Sequence, residues 1–348
     1  MKRKQAPAAS PAKKLQDVED LCYPDFAEDL LTWYHAHSRD LPWRGGNPYQ
    51  VWVSEIMCQQ TKVDTVVPYF ARWMLAFPTI QDLARADLDE VNKVWAGLGY
   101  YRRAKNLHLG AQYVVENFPP GVLPQSKREL LKINGIGVYT AGAIASICFK
   151  QRVPAVDGNV LRVCSRTTAL ELGSKDKQLV KSAELFAQAV LDGGSQYAPG
   201  EVNQALMELG ALVCTPKRIQ CLKCPVSKHC AAYQLLPSPA EIQSRFPKPK
   251  LQTSSSSPEP PSKPEFKVTV CVAYCKTRGV LAIKRNGETG ILAGQWELVC
   301  VEGEDHSAYV LQQRLDQVGV CDACCKTATI QTYDEGNGFP TLSLTNMD

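Results

Sequence analysis

The chain has 348 residues, 45% of them apolar, and a formal net charge of +4. This apolar content is typical of a globular protein, and the length exceeds what one hydrophobic core usually serves, so we expect two domains. The sequence contains neither a secretory apolar segment nor an apolar run long enough to span a bilayer, which argues against a secreted or membrane protein.

Basic residues cluster at the start of the chain. Residues 1–14 contain no acid and five basic residues, namely Lys2, Arg3, Lys4, Lys13 and Lys14. We interpret residues 1–20 as a disordered basic tail that either attracts nucleic acid and acts as a nuclear address or merely solvates the chain. Most cysteines are scattered without paired spacing, which suits a reducing compartment.

Residues 21–235 are predicted to form a mainly α-helical domain. Apolar residues recur there at three- and four-residue steps, as expected for helices that each bury one face. Turns rich in glycine or proline separate these patterns. The predicted helices cover 25–36, 49–60, 63–77, 88–96, 101–116, 176–191 and 201–213.

The composition changes after the helical region. Residues 236–265 are rich in proline and serine, which predicts a linker without a core of its own. Beyond it, Phe266–Tyr274 and Val280–Lys284 are short runs rich in β-branched residues, separated by a turn at Arg278–Gly279. We expect a hairpin there that opens a smaller, strand-containing domain over 266–348.

A glycine hairpin lies within Leu130–Ala145 (LLKINGIGVYTAGAIA). Gly135 and Gly137 permit positive φ angles and a close approach of backbone N–H groups to an anion. With the N-terminus of the next helix aimed the same way, this arrangement predicts a phosphate site that ignores base sequence. A plain corner between two helices is the alternative interpretation of the same glycines.

Two acidic residues are candidates for catalytic roles, one as a general acid and the other as a carboxylate that stabilises a positive charge. Asp157 opens a helical pattern in Val-Asp-Gly-Asn-Val, where it is suited to cap the helix and also to face a developing positive charge. Glu55 falls on the apolar stripe of Val51 and Cys58, so desolvation should favour its protonated form. A surface glutamate on a misjudged helix face is the alternative for Glu55.

Three polar or aromatic residues follow helix ends or glycine turns. Gln60 and Thr61 come after the helix that carries Glu55, and Tyr100 follows the turn at Gly97–Gly99. Amides and aromatic rings at such positions can enter a base stack opened by extrusion of one nucleotide. Taken singly, they would also suit ordinary surface or core positions.

Four cysteines are spaced C-x6-C-x2-C-x5-C at Cys214, Cys221, Cys224 and Cys230. All-cysteine ligation suits a [4Fe–4S] cluster or a zinc ion. Zinc sites usually contain two C-x2-C pairs, and among these four cysteines only Cys221 and Cys224 have that spacing. Disulfides are a third reading, disfavoured in a chain with no sign of secretion.

Together these segments resemble the MutY family of adenine DNA glycosylases, within the endonuclease III-like helix-hairpin-helix superfamily. The resemblance is nearly continuous from about residue 25 to 234 and includes the hairpin, the four cysteines and several further motifs. These motifs are Leu41–Arg44 (LPWR), Pro48–Thr61 (PYQVWVSEIMCQQT), Ala96–Arg102 (AGLGYYR), VDGNV and Asn203–Pro216 (NQALMELGALVCTP). Asn134 departs from the pattern, since the family usually has proline before the first glycine.

The resemblance implies roles for single residues. It implies that Glu55 protonates the adenine ring, that Asp157 stabilises the resulting sugar cation, and that Asn159 orients these groups. It further implies an adenine pocket of Trp43, Arg44 and Gln204 and contacts to the opposite base from Gln60, Thr61 and Tyr100. The glycines of the hairpin would bind DNA phosphate, and the cysteines would hold a [4Fe–4S] cluster.

Position 139 is expected to decide the type of chemistry. Superfamily members that also cut the strand have a lysine there as a Schiff-base nucleophile, whereas this sequence has Tyr139. A phenol can hydrogen-bond in the site but cannot form an imine. The resemblance therefore implies a monofunctional glycosylase with little or no lyase activity.

The expected substrate is double-stranded DNA with adenine opposite 8-oxoguanine or guanine, bound by a nuclear, monomeric enzyme that is also a candidate for mitochondria. Residues from Phe266 resemble the start of the family's Nudix-like domain, but the last histidine is His306 and the usual Phe-Ser-His-type loop is missing. We therefore expect a partial lesion-recognition domain. The alternative function is a catalytically weak, DNA-binding form, and the linker is a candidate site for repair or checkpoint partners.

Overall fold

A computed structural model describes residues 24–236 and 238–247, together with six strands between residues 268 and 331. The predicted basic tail, most of the predicted linker and most of the region after residue 266 lie outside the described residues. In the described part of the chain, no helix combines the length and apolar character that a bilayer crossing requires.

The described residues up to 247 contain thirteen α-helices and two short 3-10 turns, at Cys221–Lys223 and Ser227–His229. This confirms the mainly helical prediction. The helices are α1 (Pro24–His37), α2 (Pro48–Cys58), α3 (Val63–Ala76), α4 (Ile80–Arg85), α5 (Leu88–Trp95), α6 (Arg102–Asn117), α7 (Lys127–Leu130), α8 (Val138–Phe149), α9 (Gly158–Thr167), α10 (Lys177–Gly193), α11 (Pro199–Leu212), α12 (Ala231–Leu235) and α13 (Pro239–Arg245).

Local capping explains where several helices begin and end. Asn47 and Gln50 form a capping box at the start of α2, and Pro48 occupies its first turn. The helix ends at Cys58, two residues before the predicted end, because Gln60 has a left-handed backbone with φ of 59°. Four short helices were not predicted, since they are too short to give a periodic apolar pattern; they are α4, α7, α12 and α13.

The helices enclose two main hydrophobic cores. The first core is formed by α2 to α8 and contains the fully buried rings of Trp52, Trp73 and Trp95. The second core is formed by α1 and α9 to α11, with Phe26 packed edge-on against Phe186 at 5.7 Å. The loops between α1 and α2 and between α8 and α9 therefore cross from one core to the other.

The predicted linker begins too early in the chain. Pro239–Arg245 forms α13, and Ile242 and Phe246 are buried against Cys221 and Ala232. The proline and serine content hid this packing because large apolar residues are too few in the segment to give a periodic pattern. Contacts divide the chain into Met1–Gln252 and Thr253–Asp348, so the helical unit includes α13.

The second unit is described only through its strands. Strand β1 (Val268–Cys275) pairs antiparallel with β2 (Gly279–Val280), β5 (Val299–Glu302) and β6 (Ala328–Gln331), and β3 (Ile283–Lys284) pairs with β4 (Trp296–Glu297). Tyr274 lies opposite Val280, as the predicted hairpin requires. The predicted second strand is split into β2 and β3.

Candidate active site

A pocket of about 610 Å³ opens where the two cores meet, a volume within the range of small-molecule sites. One wall comes from the first core through α2, the loop after it and α8. The other wall comes from α9 and α11, which belong to the second core. Nine of the predicted site residues line this pocket: Trp43, Arg44, Glu55, Gln60, Thr61, Tyr139, Asp157, Asn159 and Gln204.

Glu55 lies at the centre of the first wall, on the same face of α2 as Val51 and Cys58, which also line the pocket. The hydroxyl of Tyr139, in the first turn of α8, donates a hydrogen bond to Glu55 Oε2 at 2.5 Å. Burial raises the pKa of Glu55 to about 7, this hydrogen bond opposes the rise, and the charge of Asp157 adds to it. The carboxyl is therefore partly protonated near neutral pH.

Asp157 lies on the opposite wall as the N-cap of α9. Its Oδ1 accepts hydrogen bonds from the backbone N–H groups of Asn159 (2.9 Å) and Val160 (2.8 Å), and its Oδ2 accepts one from Asn159 Nδ2 at 2.6 Å. Burial raises the pKa of Asp157, and these hydrogen bonds oppose the rise by stabilising the carboxylate. Capping thus fixes the orientation of the carboxylate in the pocket.

Both carboxyl groups face one cavity in different environments. Glu55 has a single strong donor, whereas Asp157 has three donors at the start of a helix, where the helix dipole also favours negative charge. Two acids held in unequal surroundings can work as a proton donor and a permanent anion. The arrangement suits breakage of a bond whose leaving group needs a proton and whose other half becomes cationic.

An ion-pair network around the buried carboxylate of Glu208 forms part of the pocket lining. Glu208 on α11 is 3% exposed and accepts hydrogen bonds from Arg39 Nε (2.9 Å) and Nη2 (2.8 Å), with Arg44 Nη2 at 3.2 Å. Burial alone would raise the pKa of Glu208, but the hydrogen bonds from Arg39 and the charge of Arg44 hold it below its usual range. Arg44 also donates to Gln204 Oε1 at 3.3 Å, which fixes two predicted pocket residues against each other.

The residues predicted to contact the opposite base lie on two loops. Gln60 and Thr61 line the rim of the pocket after α2, whereas Tyr100 lies outside it, on the loop before α6. Tyr100 is 63% exposed and, like Gln60, has a positive φ angle, in this case 48°. Exposed rings and amides on strained loops are suited to contact a ligand.

The glycine hairpin lies away from the pocket, immediately before α8. Gly135 has a φ of 82°, as the sequence predicted for this turn. Gly137 does not use a positive φ, because it is the extended N-cap of α8 with a φ of −90°. The first-turn N–H groups of α8 have no side-chain cap, so they remain available to an anion.

The four cysteines line one small cavity together with Arg166, Val213, Ile219, Ser227, Tyr233 and Ile242. Arg166 is 2% exposed and donates to the sulfur of Cys214 at 3.3 Å. Within the described residues, no three histidine, cysteine or acidic side chains are close enough together to hold a single metal ion. The four cysteine side chains thus surround one small space.

A hydrogen-bond chain joins this loop to the acid in the pocket. Arg162 Nη2 donates to Asn159 Oδ1 at 2.7 Å, and Arg162 Nε donates to the backbone carbonyl of Cys214 at 2.8 Å. Asn159 in turn donates to Asp157. The loop of cysteines and the carboxylate of Asp157 are thus positioned by the same arginine.

Four important residues were not identified from the sequence: Arg39, Arg103, Arg162 and Glu208. Glu208 carried a usable signal, because it follows Gln204 by four residues on a helix whose other face is buried. Arg39 and Arg103 carried none, since their partners are backbone carbonyls or residues far along the chain, and the bond from Arg162 to Asn159 three residues earlier became visible only in the structure. Lys228, within the loop of cysteines, forms an ion pair with Asp29, its Nζ lying 2.9 Å from Asp29 Oδ2.

Several known proteins resemble this chain over much of its length. Residues 53–188 match the family model described as HhH-GPD superfamily base excision DNA repair protein. The chain is 40% identical over 354 residues to a mouse protein named adenine DNA glycosylase, covering 89% of this chain and 67% of the mouse protein. The chain belongs to the adenine DNA glycosylase family. This confirms the resemblance found in the sequence.

Two further comparisons define what is shared with the family. A human adenine DNA glycosylase is 48% identical over 221 residues, which are 60% of this chain but 39% of the human protein. A trapped covalent complex of endonuclease III with DNA is 20% identical, with a TM-score of 0.52, covering 64% of this chain and 98% of that chain. The latter likeness confirms the helix-hairpin-helix fold expected for an adenine DNA glycosylase.

Proposed function

We propose that this chain excises adenine from double-stranded DNA where the adenine lies opposite 8-oxoguanine or guanine. The observation that carries the proposal is the pair Glu55 and Asp157, which face one pocket from two different cores. Family membership supports a DNA N-glycosylase of base excision repair, and the pocket supplies the two carboxyl groups that glycoside hydrolysis uses.

The proposed mechanism begins with extrusion of the adenine into the pocket beside Trp43. Adenine leaves poorly as an anion, so Glu55 donates a proton to the base before the glycosidic bond breaks. Asp157, whose carboxylate accepts three hydrogen bonds, faces the sugar as it gains positive charge. Water then completes the hydrolysis. The free-energy cost of extruding a base is lowest at a mispair, and this difference contributes to selectivity for mispaired adenine.

The residue at position 139 supports a monofunctional enzyme. Tyr139 Oη donates to Glu55, and burial raises the pKa of the phenol well above its ordinary value, so the group stays neutral. A neutral phenol cannot form an imine with the sugar. Its role is to hold Glu55 in position and to hydrogen-bond the carboxylate left after proton transfer.

We further propose that Cys214, Cys221, Cys224 and Cys230 hold a [4Fe–4S] cluster. The four side chains line one cavity, and four thiolates supply one ligand for each iron of such a cluster. The cluster would supply structural cross-linking of the loop, since hydrolysis needs no electron transfer. Arg166 would donate a hydrogen bond to the ligand sulfur of Cys214.

The DNA-binding surface of the proposal combines the hairpin with the loop of cysteines. The uncapped start of α8 after Gly137 can receive a phosphate, and exposed Lys217, Arg218 and Lys223 extend the positive charge. These contacts are independent of base sequence. The basic tail lies outside the described residues and supports a nuclear address for the same function.

The test is single-turnover incubation with duplexes that place adenine opposite 8-oxoguanine, guanine, cytosine or thymine. We expect adenine release opposite 8-oxoguanine and guanine, with strand cleavage only after alkali. Binding without release would contradict the proposal and favour the DNA-binding alternative. Cleavage without alkali would contradict the monofunctional mechanism.

A further inference from the structure

Two neighbouring loops hold non-glycine residues in a strained backbone conformation. Gln60 follows α2 with a φ of 59°, and Tyr100 precedes α6 with a φ of 48°. Side chains rarely adopt this left-handed region, and such residues persist only where the surrounding structure fixes them. Something must therefore hold each loop in place.

Arg103 supplies this restraint to both loops at once. Its Nη1 donates to the carbonyl oxygens of Ile56 (3.1 Å), Met57 (2.9 Å) and Gln59, and its Nη2 donates to Thr61 Oγ1 at 3.3 Å. The same Nη2 reaches the carbonyl oxygens of Leu98 and Gly99, each at 3.2 Å. One guanidinium thus spans the residues that flank Gln60 and the residues that precede Tyr100.

The surroundings of Arg103 make it hard to replace. Its charge lies at the C-terminus of α2, where unpaired carbonyl groups carry partial negative charge. The guanidinium also lies 5.2 Å from the ring centroid of Trp95 and 5.4 Å from that of Tyr100. A lysine has the charge but not the planar fork, so it cannot span the same carbonyls.

We propose that Arg103 is a positioning residue that sets the separation of the two loops, so that Gln60 and Tyr100 together contact the base opposite the extruded adenine. This inference rests on the proposed function, because it explains how the enzyme would select the base opposite adenine. It attributes that selectivity to the hydrogen bonds that Arg103 makes to both loops. Arg103 itself is not among the residues that line the pocket. It acts on selectivity and not on the carboxyl groups that break the bond, since its hydrogen bonds go to backbone carbonyls and Thr61 and none of them goes to Glu55 or Asp157.

The test compares Arg103→Lys with Arg102→Lys, which changes an exposed neighbour and leaves the net charge unchanged. For each protein, the single-turnover rate is measured on adenine opposite guanine and opposite thymine, together with the unfolding temperature. We expect Arg103→Lys to lower the ratio of the two rates by about tenfold, the size of one or two lost hydrogen bonds. Arg102→Lys should leave the ratio unchanged.

A double-mutant cycle with Gln60→Ala separates positioning from general stability. If Arg103 acts through Gln60, the combined variant should have the same ratio as Arg103→Lys alone. A ratio that stays at the parent value in Arg103→Lys while the unfolding temperature falls would overturn the inference, as would additive effects in the cycle. Absence of adenine release by the unmodified chain would instead contradict the proposed function.

Discussion

At the scale of single residues, the pKa of Glu55 links catalysis to stability. Burial raises this pKa from 4.5 to about 7, so the folded state disfavours ionisation of the side chain. Burying the charged carboxylate lowers the free energy of unfolding. This penalty is absent at pH values below the pKa of Glu55 in the unfolded chain, and it reaches its full size above the pKa of Glu55 in the folded protein. The raised pKa that suits Glu55 to its proposed role as proton donor therefore lowers the free energy of unfolding at neutral and basic pH.

Glu55→Gln should stabilise the protein at basic pH. After allowance for partial exposure of the side chain, we expect a gain in the free energy of unfolding of about 2 kcal/mol above pH 7, and none below the unfolded pKa of the carboxyl group. Denaturant unfolding at a series of pH values measures this gain. The control is Glu116→Gln on the exposed face of α6. A gain that does not change with pH would contradict the assignment.

Tyr139→Phe should move the pH dependence of catalysis. The rate of adenine release is expected to fall as pH rises through the pKa of Glu55, because the proton donor is lost. Removing the hydroxyl removes a bond that lowers this pKa, so the basic limb of the profile should shift to higher pH. Single-turnover rates over the neutral and basic range measure the shift, with Tyr113→Phe as control. A basic limb that stays in place would show that Glu55 is not the titrating group.

The sequence predicted both acids, but for unequal reasons. Asp157 was identifiable because a carboxylate before a helical pattern is a common cap, and it is the cap of α9. Glu55 was identifiable as an acid on an apolar stripe. The hydrogen bond between Tyr139 and Glu55 was not predictable from periodicity, because it joins residues 84 positions apart.

At the scale of elements, the site depends on how closely α11 approaches the start of α9. A Cβ added at Gly210 would lie 2.6 Å from Cβ of Asn159 and 3.0 Å from its Cα. Both atoms belong to Asn159, which donates a hydrogen bond to Asp157 and accepts one from Arg162. The absence of a side chain at Gly210 therefore sets where the carboxylate lies.

Gly210→Ala should displace Asn159 and slow adenine release. Overpacking of this kind costs about 1–3 kcal/mol of stability, and the rate should fall even at temperatures where the variant is fully folded. Circular dichroism confirms folding, and single-turnover kinetics measure the rate. Gly173→Ala is the matched control, because an added Cβ there meets nothing within 4 Å. A stable Gly210→Ala enzyme with the parent rate would contradict the packing argument.

Short elements were the least predictable part of the fold. Helix α13 lies in a segment whose composition indicated a linker, and it is held by Ile242 and Phe246 together with a hydrogen bond from Arg166 to the Phe246 carbonyl at 2.9 Å. These are contacts over long sequence separations. Composition reports only what a segment contains, so it could not reveal that partners for the two apolar residues exist elsewhere.

At the scale of the whole molecule, the pocket exists only where two cores meet. Glu55 and Tyr139 belong to elements of the first core, and Asp157 and Gln204 to elements of the second. The loop of cysteines packs against the second core through Val213 and Val226. A bound cluster in this loop would therefore support the wall that carries Asp157.

Removal of the proposed cluster should weaken this wall. We expect the purified chain to contain about four iron atoms per molecule and to absorb broadly in the visible range. Stripping the iron should abolish this absorption and lower the unfolding temperature, whereas alanine at Cys148, a cysteine outside the loop, should leave the iron content unchanged. A colourless protein with stoichiometric zinc would contradict the cluster.

The central claim is that Glu55 protonates an extruded adenine while Asp157 faces its sugar. The most direct measurement is single-turnover adenine release from a duplex with adenine opposite 8-oxoguanine, by the unmodified chain and by Glu55→Gln, with duplex affinity measured in parallel. The account predicts unchanged affinity and no adenine release by Glu55→Gln. Release by that variant at a rate near the parent's would contradict it.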